Sequence, residues 1–383
     1  MAALTRVFGI YVAYLLSAKA SLSLKHEKLR FWLFALINLA AVTAVFYSHA
    51  WRPLLLYVAV VLFQYGLMTL LPASFGPSFF FPIIVMVTAK AGPLHGLPII
   101  TFVGISYMAF RLSYLSIEVR NNIVPKPALP EFLSFAFFLP TIMIGPISPY
   151  QAFRETSYSA PWARALLRIL AGAAKFFIFS PFFEHFSYGS LLASSGIHTK
   201  AEFVRAAVSY YLYLYCNFDG FCDVAIGTSA LLGIHVLENF KNPLVSRNFK
   251  EFWNRWHITL STFTRDTVFY PLTQWLVSRF GNENTDHFVA VSILATFLII
   301  GLWHGIALHF LVFGAFHAMG VAGNHYYTIF LKKKLGLAKL KEYRENAPIH
   351  VLAVALTFIF VTVSFFFFAN DFSAAQILLR SIQ

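Results

Sequence analysis

The sequence predicts an all-α, polytopic integral membrane protein with roughly ten transmembrane helices. Composition and charge pattern both predict it. Of the 383 residues, 58% are apolar and only 12% are charged, and the mean hydropathy is +0.68. A soluble domain carries about a quarter charged residues, because its surface must face water. The few charged residues here also leave long apolar stretches between them.

Six of these stretches contain no Asp, Glu, Lys or Arg. Each is long enough to cross a hydrocarbon core of ~30 Å, for which a helix needs about 20 residues. Lipid offers no hydrogen-bond partner to a free peptide group, so they should be helices rather than strands. A buried helix of a soluble core explains one such stretch but not six. The stretches are Phe31–Trp51, Pro53–Ala89, Ala91–Phe110, Phe132–Phe153, His287–Leu331 and Asn346–Asn370.

The segment Val7–Ala18 and the basic residues define the expected topology. Val7–Ala18 has the length of a signal-peptide core, but the small residues after it already belong to a basic cluster, so we expect a retained first helix. A net charge of +13 in a soluble protein would suggest nucleic acid. Here the basic residues occupy short connections, as the positive bias of cytoplasmic loops requires, and no nucleic-acid partner is expected. The clusters assigned to the cytoplasm are Lys19, Lys25, Lys28 and Arg30, and Lys332, Lys333, Lys334, Lys339 and Lys341.

No soluble segment is long enough to build its own core, so residues 1–383 are predicted to form a single membrane-embedded domain. Gly92-Pro93 and Pro98 interrupt one apolar stretch, and Pro140 with Gly145-Pro146 interrupts another, where a broken or re-entrant helix is expected. The only two cysteines, Cys216 and Cys222, match neither a disulfide scaffold nor a zinc spacing and are predicted to be small apolar fillers.

The region from Tyr215 to Leu272 is aromatic yet densely polar. An amphipathic helix lying at the membrane interface is one explanation. We favour a re-entrant or in-plane segment lining a water-accessible cavity, because irregular backbone at membrane depth is tolerated only in such a place. Amphipathic aromatic residues interleaved with hydrogen-bonding residues are well suited to line a water-filled cavity. The interleaved residues are Phe252, Trp253 and Trp256 with Asn254, Arg255 and His257.

His304 is the strongest candidate for chemistry. It lies within the uncharged stretch His287–Leu331, where an ionisable group is a functional candidate by default because its desolvation is costly. A histidine that only packs between helices is the alternative, and His304 alone does not decide between them. Burial would keep the ring neutral, with one nitrogen able to take a proton from a hydroxyl. Gly301 and Gly305 flank it and would let backbone or substrate approach.

His257 is the second candidate, although its local sequence alone slightly favours an interfacial histidine. His309 and His317 do not share a helical face with His304, so no metal site is predicted. No Gly-rich phosphate loop, Gly-x-Ser-x-Gly elbow or His-Glu-x-x-His motif occurs. Soluble hydrolase, kinase and zinc-protease interpretations therefore have no support.

Four stretches together resemble the membrane-bound O-acyltransferase family over about residues 100–320. The resemblance implies a ring of tilted helices around a tunnel, with donor and acceptor entering from opposite faces. It implies that His304 is the catalytic histidine and that His257 occupies the second signature position, near the reacting thioester. The stretches are Gly104-Ile105-Ser106-Tyr107 with Leu112-Ser113-Tyr114-Leu115; Ile144-Gly145-Pro146-Ile147; Glu238-Asn239-Phe240 through Phe252–Ser261 to Arg265-Asp266; and Leu302-Trp303-His304-Gly305.

Within that family the chain resembles the bacterial branch that acylates exported polymers. Ser246-Arg247-Asn248 with Phe252–His257 leans toward the teichoic-acid D-alanyltransferases. Leu260-Ser261-Thr262 with Tyr270-Pro271-Leu272 leans toward the alginate-type O-acetyltransferases. The Gly-Gly-Asn with basic residues that follows in the alginate type is replaced by Thr273-Gln274-Trp275-Leu276. The resemblance therefore leaves acetyl and D-alanyl open.

The sequence thus predicts a multi-pass O-acyltransferase of the bacterial cytoplasmic membrane, with no permanently bound cofactor. It would transfer acetyl or D-alanyl from a thioester, acetyl-CoA or an acyl carrier protein, arriving from the cytoplasmic side. The acceptor on the outer side would be a polymer, a lipid-linked precursor or an acyl-carrying partner protein. His304 and His257 are predicted to be catalytic and to lie within about 15 Å of each other. The residues assigned to substrate binding are Trp253, Asn254, Arg255, Trp256, Ser261, Arg265, Asp266 and Trp303.

Two other classes of protein remain as alternatives. In a transporter or lipid flippase the polar block would line a permeation path. Such proteins often carry broken segments in corresponding halves of the chain, whereas the polar residues here form one central block. In a membrane scaffold of a secretion complex the histidines would merely be buried. An enzyme needs both histidines at one cavity, and the alternatives do not.

Overall fold

The chain is helical throughout the residues that can be described. The structure, a computed structural model, describes residues 2–48, 51–71, 75–92, 102–155, 160–194 and 196–383. It is 81% helical and contains no sheet over those ranges, where one isolated bridge joins His198 and Ile382. In chain order the α-helices are α1 (Ala2–Leu22), α2 (Glu27–Phe46), α3 (Trp51–Leu70), α4 (Phe75–Ala91), α5 (Ile105–Arg120), α6 (Leu129–Ala136), α7 (Tyr150–Arg154), α8 (Trp162–Ala174), α9 (Ser180–His185), α10 (Tyr188–Ala193), α11 (Lys200–Leu232), α12 (Phe249–Trp253), α13 (Ile258–Thr264), α14 (Tyr270–Phe280), α15 (Thr285–His304), α16 (Leu308–Glu345), α17 (Ala347–Ala369) and α18 (Phe372–Arg380).

Within the described ranges, five helices are long and apolar enough to cross a membrane. The prediction of an all-α, multi-pass membrane protein is therefore confirmed, and the total of about ten spans is not. Phe75–Ala91 is a further apolar helix that is shorter than these. The five candidate spans are Glu27–Phe46, Trp51–Leu70, Trp162–His185, Thr285–His304 and Ala347–Ala369.

The uncharged stretches and the observed helices do not correspond one to one. Pro53–Ala89 is divided between two helices, α3 and α4. Phe132–Phe153 is broken, as expected from its prolines and glycine: α6 ends at Ala136 and α7 begins only at Tyr150. Of the Ala91–Phe110 stretch, residues 93–101, with Pro93 and Pro98, lie outside the described residues.

The candidate span Trp162–His185 was missed by counting uncharged residues, because basic residues interrupt it. Two of these basic residues, Arg168 and Lys175, are paired with acidic residues. Arg168 donates from Nε to Asp223 at 2.8 Å and from its terminal nitrogens to Glu238 at 2.5 Å. Lys175 Nζ lies 2.5 Å from Asp219. Ionisable groups within spanning helices characteristically pair in this way, so a charge in the sequence does not exclude a span.

The chain divides into two compact units, residues 1–173 with 221–238 and residues 174–220 with 239–383. In the first unit, the two family-like stretches near residues 104 and 145 are held together. Gly104 has φ +68°, and a Cβ there would overlap the carbonyl of Ile142. The buried carboxylate of Glu118 accepts hydrogen bonds from the backbone N–H groups of Tyr150 and Gln151 at 2.8 and 2.9 Å. These two bonds attach the start of α7, at the end of the broken stretch Phe132–Phe153, to α5.

In the second unit α15 and α16 form a helical hairpin that crosses at small residues. A Cβ on Gly301 would come within 2.3 Å of the carbonyl oxygen of Phe310, and one on Gly314 within 2.4 Å of that of Phe297. Small residues at a crossing let two backbones approach closely, which is a main source of helix association in lipid. This close crossing is what brings α16 against the end of α15 that carries His304.

We expect Gly314→Val to lower the free energy of unfolding by about 1–3 kcal/mol, since a backbone carbonyl cannot move aside for the new side chain as a flexible ring could. Gly323→Val on the same helix is the matched control, because a Cβ there meets nothing within 4 Å. Thermal unfolding of the two purified variants in detergent would compare them. Equal melting temperatures would show that the crossing is not close.

The polar region Tyr215–Leu272 consists of two kinds of structure. Tyr215–Leu232 simply continues the long helix α11, so its first part is more regular than expected. The remainder contains α12, of 5 residues, with irregular backbone on either side of it. It also contains a helix that runs without a break from Ile258 through the π-helical segment Arg265–Phe269 into α14. Helix α12 is far shorter than the about 20 residues needed to cross a bilayer, whereas the continuous helix Ile258–Phe280 is not, although it carries Arg265, Asp266 and Arg279. That this region holds a re-entrant or in-plane helix rather than only regular spans stays a prediction, which the short α12 and its irregular connections support.

Candidate functional site

His257 lies at a sharp turn that the backbone holds in place. Helix α12 runs from Phe249 to Trp253 and is capped by Asn248, whose side chain accepts from the N–H of Glu251 at 2.9 Å. His257 then adopts a left-handed conformation with φ +44° before α13 starts. Such a conformation costs a non-glycine residue about 1 kcal/mol. Two backbone bonds offset it, from Lys241 N to Arg255 O and from Ile258 N to Asn239 O, each 2.9 Å.

The buried amide of Asn239 determines which nitrogen of His257 carries hydrogen. Asn239 Oδ1 accepts from the backbone N–H of Thr259 at 3.2 Å, which identifies that atom as the oxygen because an N–H can only donate. It also accepts from Thr259 Oγ1 at 2.8 Å and lies 3.2 Å from His257 Nδ1. The Nδ1 of His257 must therefore be the donor. In a neutral ring Nε2 then carries the lone pair.

The surroundings of His257 favour the neutral ring. Its side chain is 2% exposed, and the edge-to-face ring of Phe218 lies 4.7 Å away between centroids. Burial among aromatic groups disfavours the imidazolium. His257 lies outside the five candidate spans, and its pKa is well below the ordinary value because of this burial, with a smaller contribution from His304. A neutral imidazole can accept a hydrogen bond or a proton.

His304 is the last residue of α15, and the chain leaves the helix at Gly305. Its half-buried ring packs against α16 and α17, with centroids 6.0 Å from Phe313 and 4.8 Å from Phe368. Trp303 contacts both candidate histidines, with ring centroids 4.6 Å from that of His304 and 5.8 Å from that of His257. These contacts place the two imidazoles well within the expected ~15 Å of each other.

His317 is a further buried histidine in this unit, and its hydrogen bonds identify it as structural. Trp253 Nε1 donates to His317 Nδ1 at 3.2 Å, so the ring hydrogen is on Nε2, 2.8 Å from Ser364 Oγ. Ser364 Oγ in turn donates to the carbonyl of Val361 at 2.7 Å. Both ring nitrogens are thus used in joining α12, α16 and α17. Sequence spacing had served only to exclude His317 as a metal ligand.

The residues assigned to substrate binding occupy different environments. Trp253 and Trp256 are 7% and 5% exposed, the first bonded to His317 and the second stacked 5.5 Å from Phe252. Asn254 is exposed, and Arg255 is tied to Glu251 at 2.7 Å. Trp303 is the member of the set that contacts both histidines.

The remaining three residues of that set lie on α13 and just after it. Ser261 is half-buried, and its Oγ makes no hydrogen bond to another described residue. Arg265 and Asp266 form an ion pair of 3.2 Å on a partly exposed surface. An exposed pair of this kind contributes little to stability. Within the described ranges, no group of three or more His, Cys, Asp or Glu side chains is placed to hold a metal ion.

Asn239 is a residue of the candidate site that the sequence did not single out. It belongs to the quoted Glu238-Asn239-Phe240 stretch, but nothing in the local pattern connects it to His257, since 18 residues separate them. An asparagine beside aromatic residues in a polar region was the only signal.

Comparisons of the sequence with known proteins give matches to a single family. A model of the membrane-bound O-acyltransferase family matches residues 49–369. The chain is 33% identical to a teichoic acid D-alanyltransferase of Streptococcus thermophilus over 71% of this chain and 69% of that protein. It is 31% identical to the enzyme of that name from Bacillus subtilis, over 73% of this chain and 70% of the relative. A probable alginate O-acetylase of Pseudomonas syringae pv. tomato is 28% identical, and the match covers 49% of its length.

Proposed function

Since the chain belongs to the membrane-bound O-acyltransferase family and is an O-acyltransferase, we propose that it transfers D-alanine from a carrier-protein thioester to a hydroxyl of an exported polymer. The observation that carries the choice of acyl group is the pair of D-alanyltransferase relatives. Both exceed 30% identity over more than two thirds of their length, whereas the alginate relative is matched over about half. Family membership also disfavours the transporter alternative.

The reaction we propose is a direct transfer between the two substrates. The acceptor hydroxyl oxygen attacks the thioester carbonyl carbon, and His304 takes the hydroxyl proton. The carbon–sulfur bond then breaks, and the proton passes from His304 to the departing sulfur, which leaves as a free thiol. A positioned general base of this kind contributes about 10²–10⁴-fold to the rate. The half-buried His304, at the end of its helix beside Gly305, is accessible enough for this role.

We propose that His257 orients the acyl donor and does not donate a proton to it. Asn239 holds the hydrogen of the neutral ring on Nδ1, so the ring offers a lone pair at Nε2 and no second hydrogen. His257 would therefore orient the donor by accepting a hydrogen bond from it. Trp303, which contacts both imidazoles, would keep the two substrates apart until their reactive atoms meet.

The proposal includes the cellular setting. The enzyme would lie in the bacterial cytoplasmic membrane, with the donor arriving from the cytoplasm and the polymer, a lipid-linked precursor or an acyl-carrying partner protein on the outer side. The family match runs through both compact units, which supports treating residues 1–383 as one acyltransferase domain. Acetyl transfer from acetyl-CoA is the second candidate, and Leu260-Ser261-Thr262 with Tyr270-Pro271-Leu272 favours it.

We expect a deletion strain to lose ester-linked D-alanine from its surface polymers and to regain it with the wild-type gene but not with His304→Ala. Mass spectrometry of the polymers measures this directly. The purified protein in lipid nanodiscs, supplied in turn with D-alanyl carrier protein and acetyl-CoA, identifies the donor. Loss of acetyl esters instead would establish the second candidate. Unchanged polymers together with no turnover of either donor would contradict polymer acylation.

A further inference from the structure

Helix α16 turns back on itself at Gly336, where φ is +71°. Glycine is the residue that adopts such a conformation without steric cost. The turn brings the hydroxyl of Tyr343 to 2.8 Å from that of Tyr327, although 16 residues separate them. In a straight helix, with a rise of 1.5 Å per residue, those two positions would be about 24 Å apart. A cleft is formed where the returning segment faces α12 and the start of α17.

The cleft has a volume of about 370 Å³ and a basic lining. Arg247, Lys250, Arg344 and His350 line it, together with the paired tyrosine hydroxyls, and no carboxylate does. A cavity of this size admits a phosphate group with its neighbouring atoms. Guanidinium and ammonium groups are the side chains that bind phosphate oxygens most strongly. Tyrosine hydroxyls supply further donors.

The positive charge of the cleft is not cancelled by its neighbours. Glu251 lies beside the cleft and accepts from Arg247 at 2.9 Å, but it also accepts from Arg255 at 2.7 Å. The single negative charge of Glu251 is therefore shared by two guanidinium groups and cannot neutralise both. Lys250 and Arg344 form no ion pair with another residue of the described ranges. At least two basic side chains thus remain available for an anion.

The position of the cleft indicates the kind of anion. Helix α17, the most apolar of the candidate spans, begins at Ala347 on the edge of the cleft. Val351 and Leu352, one turn further on, are 68% and 58% exposed. Exposed apolar side chains on a spanning helix face lipid tails, so the cleft lies at the level of the lipid headgroups. The adjacent lysine cluster Lys332–Lys334 is typical of the cytoplasmic side, where basic pockets bind anionic headgroups.

We propose that this cleft binds the phosphate of an anionic glycerophospholipid, whose acyl chains lie along the exposed apolar face of α17. The cleft is lined by residues other than the two candidate histidines, and the proposal does not depend on whether the transferred group is D-alanyl or acetyl. Charge, donor groups and the neighbouring apolar surface all match one ligand that carries phosphate and hydrocarbon together.

The test uses the purified full-length protein, stripped of lipid in detergent and titrated with phosphatidylglycerol under native mass spectrometry. Lys250→Gln with Arg344→Gln should weaken binding by about tenfold or more, since each basic group near an anionic lipid contributes about 1 kcal/mol. The matched control is Lys332→Gln with Lys339→Gln, which removes equal charge from exposed positions outside the cleft. It should change binding by less than about threefold.

Several results would overturn the proposal. Equal weakening by the two double variants would mean attraction to the basic surface in general. Equal binding of phosphatidylcholine would remove the role of charge. Coenzyme A bound with the same residue dependence, without binding of phosphatidylglycerol, would make the cleft a donor site. If the double variant does not fold, as judged by its melting temperature without lipid, Arg344→Gln alone replaces it against Lys339→Gln.

Discussion

Replacing His304 by alanine should lower acyl transfer by about 10²–10⁴-fold, because the step then has no positioned base for the acceptor hydroxyl. Stability should change much less, since His304 is the final residue of α15 and is only half-buried. The measurement is single-turnover transfer by the purified variant in nanodiscs, with its melting temperature recorded in parallel.

His325→Ala is the matched control for that experiment. His325 is a histidine of the same helical hairpin, bonded to Asp286 at 3.1 Å, and lies near the start of α15 rather than at its end. It should retain wild-type turnover. A folded His304→Ala variant with wild-type turnover would refute the assignment of the base, and equal loss in both variants would point to a general effect of the hairpin.

Replacing Asn239 by leucine should reduce turnover by about 10²-fold, because His257 would lose the acceptor that holds its hydrogen on Nδ1. Leucine also leaves the buried donors of Thr259 without their acceptor, which costs about 1–3 kcal/mol each. A second variant is therefore needed, in which all three donors keep an oxygen. Asn239→Asp is such a variant, because it changes the charge of the side chain and leaves its shape almost unchanged.

In Asn239→Asp the carboxylate would favour the imidazolium and so raise the pKa of His257 by at least about one unit. If the neutral ring is the active form, activity is lost as pH falls through that pKa. The acidic limb of the pH–rate profile should therefore move to higher pH, while activity on the alkaline plateau stays near that of the wild type. A purely structural role of Asn239 would lower the plateau and leave the limb where it was.

Features that depend on neighbouring residues along the chain were predictable. A bilayer requires an uninterrupted apolar run and forces it to be helical, so composition alone indicated an all-α membrane protein. Proline and glycine act on their own backbone, and the break between α6 and α7 followed from Pro140 and Gly145. Placing an ionisable imidazole within an uncharged, membrane-spanning segment costs free energy whatever the tertiary structure around it. That cost, together with the family-like stretches, identified His304 and His257 as the pair to examine.

Other features depend on residues that are distant in the chain, and only the tertiary structure revealed them. The candidate span Trp162–His185 accommodates Arg168 because Asp223 and Glu238 form ion pairs with it. The local sequence around Arg168 does not indicate these partners. The tautomer of His257 is determined by Asn239, and the structural role of His317 by Trp253 and Ser364. Hydrogen bonds act over about 3 Å whatever the distance along the chain. The candidate residues could therefore be read from the sequence, whereas the protonation each one carries depended on how the helices pack.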